Sequence, residues 1–410
     1  MSQNKNWQIK PLGEVCKLKN GFAFKSDNYL DKGIPVIRIS DIKDGLIVPR
    51  NTVHVAENSI YDSYIINENE IIVAMSGATT GKFGIYKSKD KAYQNQRVGK
   101  FDILDKTILD NNFLLNQLHS LKRQIEKDAY GGAQPNISSK KIEEMKIVLP
   151  PLETQQAIVS KIEELFSELD KGIEDLKTAQ QQLKTYRQSV LKWAFEGKLT
   201  NENVKDGELP KGWEWTTIGN IFEVHIGSTP KRNIPEYWGG TINWVSSGEI
   251  AFCNITKTKE QITKIGLDNT SCKVHPVGTV IIAMIGEGKT RGQAAILKIE
   301  ASHNQNTAAI RVDNNSYLSE LLYYYLFLKY QDNRKVGSGN NQKALNKERV
   351  KGIELPFLPI EEQHRMVQEI ESRLSVADKM EESIAQSLQQ AEALRQSILK
   401  KAFSGELVEL

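Results

Sequence analysis

Two short polar clusters hold the side chains best suited to chemistry. Gln94-Asn95-Gln96-Arg97 and Asn304-Gln305-Asn306 stand about 209 residues apart. A primary amide can make two hydrogen bonds to the edge of adenine, and a guanidinium two to guanine. The clusters therefore offer nucleobase recognition, although amide-rich segments also build ordinary turns. Two glycine-rich loops add more amides, with glycines that let another backbone come close. They are Gly131-Gly-Ala-Gln134-Pro-Asn136 and Gly337-Ser-Gly-Asn340-Asn341-Gln342-Lys343. Lys82, the pair Lys231-Arg232 and the run Lys289-Thr290-Arg291 supply cations and a hydroxyl for phosphate contacts.

One stretch invites a different chemistry. Ala283-Met-Ile-Gly-Glu-Gly288-Lys289-Thr290 fits a relaxed phosphate-binding loop with Ala in place of the leading Gly. Such a loop needs a helix directly after Lys-Thr, so that its amides face the phosphate. Here Arg291-Gly292 follows, and Ala294 to Ile299 reads as a strand. A nucleotide-binding protein with a coiled-coil arm is thus the lesser alternative, and a scaffold without nucleic acid a third. No nucleophile elbow, no Asn-Pro-Pro-Tyr motif and no carboxylate cluster of nuclease type is present, and the six histidines are scattered without metal-type pairing. The three cysteines, Cys16, Cys253 and Cys272, read as reduced packing residues in a cytoplasmic protein. No apolar run is long enough to span a membrane.

These residues sit in a duplicated chain. Tyr186-Arg-Gln-Ser-Val-Leu-Lys-Trp-Ala-Phe-Glu-Gly-Lys-Leu199 returns as Leu394-Arg-Gln-Ser-Ile-Leu-Lys-Lys-Ala-Phe-Ser-Gly-Glu-Leu407, with nine of 14 positions identical. The rest repeats more loosely at an offset of 206 to 209 residues. Trp7 matches Trp213, Leu12-Gly13 matches Ile218-Gly219, and Ala74-Met75-x-Gly77 matches Ala283-Met284-x-Gly286. Asn95-Gln96 matches Asn304-Gln305, and Leu149-Pro150 matches Leu355-Pro356. The order is globule, rod, globule, rod.

Both rods read as long helices. In the first, Ile162, Leu169, Leu176, Leu183 and Val190 step by seven, with a second track at Ile158, Leu165, Gly172, Ala179, Tyr186 and Trp193. The second rod keeps Ile370, Ala377, Ile384, Ala391 and Ile398, with a weaker track at Met366, Arg373, Met380, Ser387, Leu394 and Lys401. Alternating steps of three and four make a coiled-coil seam, so the rods are expected to pair antiparallel about a pseudo-two-fold axis. Leu410 should then lie near Trp7.

The globules read as α+β. Strands are expected at Gly33–Ser40, Glu70–Ser76, Lys100–Leu104 and Met145–Leu149, and a helix capped by Asp110 runs to Lys127. The Tyr323–Phe327 aromatics read as core. The expected domains are 1–150, a helical spacer 151–200, a second globule 201–358 and a second spacer 359–410. Charge is partitioned: Lys82–Lys100 holds six basic residues and one acidic, and Lys329–Lys351 seven and two. Glu153–Gln182 holds three basic and seven acidic, and Glu361–Glu392 three and eight. Basic globules beside acidic rods suit a polyanion held by the globules.

The Trp-x4-Leu/Ile-Gly openings, Ala-Met-x-Gly turns, Asn-Gln pairs and Leu-Pro exits, with Gln155-Gln156 and Gln363 at the rod starts, form a pattern. Together with the duplicated rod ending, it resembles the specificity subunits of Type I restriction–modification systems over essentially the full length. The resemblance implies two target recognition domains, each reading half of a split site in double-stranded DNA. It also implies helical spacers that bind two modification (methyltransferase) subunits within a complex that includes restriction (translocase and nuclease) subunits. S-adenosylmethionine, ATP and Mg²⁺ would belong to those partners, with no cofactor or catalysis on this chain. Recognition domains vary most within the family, so the candidate contacts named above rest on residue chemistry.

Overall fold

A computed structural model of the chain describes residues 7–43, 45–49, 52–130, 135–201, 204–205, 207–286, 288–335 and 344–408. It resolves into two compact units, Met1–Leu176 with Gln386–Leu410, and Lys177–Ala385. The boundary falls within the two long helices, Leu152–Phe195 and Ile360–Ser404. Each unit therefore keeps a globule together with one stretch of each helix, rather than leaving the helices as separate spacers.

In the first unit, strand Ile71–Ala74 is apolar throughout because both its faces are covered. Ile71 and Val73 face the core shared with helix Asn111–Ala129, and Ile72 and Ala74 a second core behind the sheet. The sheet runs in the order Cys16–Asn20, Val98–Ile103, Ile71–Ala74, Phe83–Tyr86, Gly45–Ile47. A smaller sheet joins Val53–Val55, Ile34–Ile37, Ala92–Gln94 and Ile65–Ile66. Strands Gln8–Pro11 and Lys146–Leu149 pair antiparallel, so the globule's first and last segments close on one another.

The second unit repeats this plan. Its five strands are Glu223–Ile226, Thr307–Arg311, Val280–Ala283, Ala294–Leu297 and Cys253–Ile255, and a three-stranded sheet holds Glu260–Ile262, Trp238–Val245 and Ser302–His303. Glu214–Thr217 and Glu354–Phe357 close it. Helix Ser319–Leu328 buries Tyr325 and half-buries Tyr323 and Tyr324, as core positions should be, but Phe327 is exposed, packing at the surface against the Phe252 ring. The Asp110 cap is present, accepting from the Phe113 amide at 2.8 Å.

The same bracket fastens helix to globule in both units. Gln155 is fully buried; its Oε1 accepts from Asp110 N at 2.9 Å, and its Nε2 donates to Ile108 O and Pro150 O, both at 2.8 Å. Gln363, also fully buried, accepts from Leu318 N at 2.8 Å and donates to Ser316 O at 3.0 Å and Leu358 O at 2.8 Å. Each amide satisfies three backbone groups that would otherwise be buried without partners.

Within each unit the helical stretches run antiparallel. In the first, Ile158 and Ile162 share a core with Ile398 and Ala402, and Arg395 pairs with Asp170 while lying 4.5 Å above the Phe166 ring. In the second, Arg187 pairs with Asp378 at 2.5 Å and Glu381 at 2.8 Å, and Thr200 donates to Glu362 further along. The first predicted tracks hold: Ile162, Val190, Ile370 and Ile398 are buried, and Leu169, Leu176, Leu183 and Ile384 half-buried.

The second tracks hold only in part: Ile158 and Met366 are buried, and Leu165, Ala179, Tyr186, Arg373 and Ser387 half-buried. Gly172, Trp193, Met380, Leu394 and Lys401 are exposed. The positions one residue later are sheltered too, at Phe166, Ile173, Gln180, Arg187 and Ala194, and at Val367, Leu374, Glu381, Leu388, Arg395 and Ala402. Neighbours three and four residues on both satisfy the alternation. These neighbouring tracks include polar residues, Arg187, Glu381 and Arg395, that form the ion pairs, which hid them. Trp7, Leu407 and Val408 all pack against the first unit's core; Leu410, expected near Trp7, lies outside the described residues.

Replacing Gln363 by Leu should lower stability by roughly 2–4 kcal/mol, because three backbone partners lose their hydrogen bonds. Gln155→Leu should cost a similar amount. Urea unfolding of the full chain measures both, and a loss below about 1 kcal/mol would show the bracket to be dispensable.

Candidate nucleic-acid interface

The chain crosses from the small sheet to the large one through a turn, and that turn is where the polar clusters lie. Strand Ala92–Gln94 ends in the small sheet, and Val98–Ile103 begins in the large one. Asn95 N donates to Ile37 O at 3.1 Å, Val98 N to Asn95 O at 2.9 Å, and Met75 N to Arg97 O at 3.0 Å. In the second unit Asn304 N donates to Val245 O at 3.0 Å, Thr307 N to Asn304 O at 3.2 Å, and Met284 N to Asn306 O at 2.9 Å. One backbone frame thus carries two different sets of side chains. A glycine precedes each frame where the chain passes close: a Cβ on Gly21 would stand 2.2 Å from Asn95 O, and one on Gly227 2.1 Å from His303 O.

Neighbouring segments converge on the turn. In the first unit Gly77 N donates to Pro135 O at 3.1 Å and Ile137 N to Met75 O at 2.9 Å. Ser76, Ala78, Arg97, Tyr130 and Asn136 line a cleft of about 960 Å³ there. In the second unit Leu345 N donates to Met284 O at 2.9 Å, the equivalent tie.

Burial sorts the candidate residues. Gln96, Arg97 and Asn136 are exposed on this face, and Asn95 is half-buried. Gln94 is not available: it is fully buried, its Nε2 donating to Lys19 O at 2.7 Å and Val98 O at 2.6 Å. Asn304 is likewise internal, its Oδ1 accepting from Asn306 N at 3.1 Å, so it shapes the turn. Gln305 is exposed and accepts from the Thr229 hydroxyl, and Asn306 is half-buried.

Among the cations, Lys289 is exposed and Thr290 half-buried, but Arg291 is buried, donating to Arg334 O at 3.1 Å. It ties its turn to the helix Tyr330–Lys335 instead of facing a phosphate. Lys82 is half-buried and is not the counterpart of Lys289. Ala74 N donates to Lys82 O and Ala283 N to Gln293 O, both at 2.8 Å, so Gln293 is the equivalent, and the second turn is longer. Arg232 pairs with Glu260 through both carboxylate oxygens and lies 3.9 Å above the Trp238 ring, while Lys231 is exposed. Gln134, Asn340, Asn341, Gln342 and Lys343 lie outside the described residues. A strand, Ala294–Leu297, follows Lys289-Thr290, so the helix a phosphate-binding loop requires is missing.

The basic count overstates the surface. Lys100 is buried against Glu70 at 3.2 Å, Lys91 pairs with Glu57, and Lys87 donates to Asn69 Oδ1 at 2.6 Å. Sequence reading missed Tyr130, Ser76 and Thr229, none of which sits in a charged or amide-rich run. It also took the histidines as scattered. In the second unit His275 and His303 are buried with their Nε2 atoms 3.2 Å apart, and the His225 ring lies 5.4 Å from that of His275. Burial, then the nearness of His303, Arg311, His225 and Lys273, pulls His275 down to about 3. Burial lowers His303 to about 4, with His225 adding to the effect against a hydrogen bond donated to the Asn304 backbone carbonyl.

Unfolded, these imidazoles protonate near pH 6.5, so between there and about pH 4 the unfolded chain binds more protons. Stability is therefore full above pH 6.5 and falls as pH falls, by roughly 2–3 kcal/mol for His303 alone by about pH 4.5. Thermal unfolding of the wild type should lose more on acidification than that of His303→Gln. Parallel profiles would show that the pair does not resist protonation.

Among the described residues no helix is long and apolar enough to cross a membrane. Comparison with known proteins agrees with this architecture. The Type I restriction enzyme EcoBI specificity subunit of Escherichia coli is 26% identical over 437 residues, covering 99% of this chain and 87% of that protein. The StySPI specificity subunit of Salmonella potsdam is 24% identical over 98% of this chain and 89% of that one. A solved chain from work on complex assembly and conformational transition of the type I R-M system superposes with a TM-score of 0.78 at 20% identity, over 99% of this chain and all of that one. The HsdS subunit from Thermoanaerobacter tengcongensis gives 0.64 at 18%, over 99% and 98%. The model of the Type I restriction modification DNA specificity domain matches twice, over residues 4–178 and 210–392, and the chain belongs to that family.

Proposed function

We propose that the chain is the non-catalytic specificity subunit of a Type I restriction–modification complex, reading a split, asymmetric site on double-stranded DNA with one half per unit. The observation that supports this most is the shared backbone frame with unlike outward side chains. Met75 N meets Arg97 O as Met284 N meets Asn306 O, yet one frame presents Arg97 and the other Asn306. A guanidinium suits guanine and a primary amide adenine, so the frames would read different bases. Exposed Lys289 would contact phosphate. On this reading two modification subunits bring S-adenosylmethionine, restriction subunits use ATP and Mg²⁺, this chain holds none of these, and the complex works in the cytoplasm.

Arg97→Ala should weaken binding by about 1–3 kcal/mol and relax selectivity in the first half-site alone, and Asn306→Ala should do the same in the second. Competition binding by the chain with its modification subunits, against duplexes substituted one base pair at a time, measures this. A loss spread evenly over all duplexes would mean that these residues do not read sequence. Lys289→Ala should weaken all duplexes alike and reduce the salt slope by about one.

A further inference from the structure

The residue before each crossover turn is buried and polar: Gln94 in one unit, His303 in the other. In the second unit it belongs to a chain of hydrogen bonds whose direction is fixed at both ends. Arg311 Nε can only donate, and it meets His275 Nδ1 at 3.2 Å. The Thr307 hydroxyl gives its one hydrogen to Asn304 O at 2.9 Å, so Thr307 Oγ1 must accept from His303 Nδ1 at 2.7 Å. His275 therefore carries its proton on Nε2 and donates it to His303 Nε2 at 3.2 Å, and His303 carries its own on Nδ1. Every ring nitrogen is satisfied in this arrangement and in no other pair of neutral tautomers.

The outer end is also anchored. Arg311 Nη2 donates to Val274 O at 3.2 Å, and Glu223 lies 3.9 Å from Arg311 Nη1 and 3.0 Å from His225 Nε2. The inner end meets the carbonyl of Asn304, the first residue of the turn that presents Gln305 and Asn306. His275 and His303 are each 1% exposed, so neither can touch DNA.

We propose that the relay Arg311–His275–His303–Thr307 is a specificity-positioning device: it fixes the turn from beneath and thereby sets which bases the second unit accepts. Gln94 does the equivalent for the first unit by bridging Lys19 O and Val98 O. This rests on the DNA-reading proposed above. A buried hydrogen-bonded network holds one geometry, and a shift of a fraction of an ångström spoils a two-bond contact to a base.

The test is selection from a randomised duplex library by the full chain with its modification subunits, followed by competition binding with singly substituted duplexes. His303→Leu keeps bulk but breaks the relay, and Thr307→Val keeps shape but loses the hydroxyl. Both should reduce discrimination at the second half-site by about tenfold and leave the first unchanged. His303→Gln, which restores a donor and an acceptor, should retain discrimination to within about threefold. Undiminished discrimination in both breaking variants, or a loss shared equally by both half-sites, would overturn the relay. A wild-type complex that selects no sequence at all would overturn the DNA-reading itself, and the relay with it.

Discussion

The crossover between two sheets is the constraint on which each unit depends. A strand that leaves one sheet for another must satisfy its backbone groups at the gap, where neither ladder reaches them. Here Ile37 and Val245 supply carbonyls from the small sheet, and Met75 and Met284 supply amides from the large one. With these backbone positions fixed, and the inward side chains holding them, the turn keeps its path while its outward side chains change. That separation explains how a duplicated globule can diverge in its outward residues without losing its fold.

The helices obey a second constraint. Long helices gain little from propensity alone and need a partner along one face. Each helical stretch finds it within its own unit, at apolar ends such as Ile158 with Ile398 and Leu191 with Ile370. Toward the middle of the helices the packing gives way to Arg187 with Asp378 and Glu381, and Arg395 with Asp170. Half-exposed ion pairs of this kind add little stability but do fix alignment, since a shift along the helix separates them. The buried glutamines at the helix starts then join this alignment to the globules.

How much of this the sequence disclosed follows from what repeats. The duplication, the strands around Ile71 and Lys146, the Asp110 cap and the first helical tracks were legible, because each depends on local pattern. The second tracks were legible only in part, because polar residues such as Arg187 and Glu381 occupy sheltered positions and one-residue alternatives satisfy the same spacing. The candidate site was legible as a place: the turn, the Ala-Met-x-Gly segment and Pro135-Asn136 converge in the first unit. It was not legible as a set of contacts.

The reason lies in strand geometry. Gln94 and His303 still belong to strands, where successive side chains alternate between faces, and they point into the protein. Arg97 and Gln305 lie past the strand ends and point out. A run of amides therefore contains both outward-facing side chains and inward-facing supports, and residue type cannot tell them apart. Arg291 makes the same point among the cations: it looks like a phosphate contact, yet its guanidinium is drawn inward by the Arg334 carbonyl. Chemistry suited to DNA is also chemistry suited to holding a turn, and only burial divides the two. Variation between the units should accordingly be read at two levels, outward residues that differ in what they meet and inward residues that differ in how they hold.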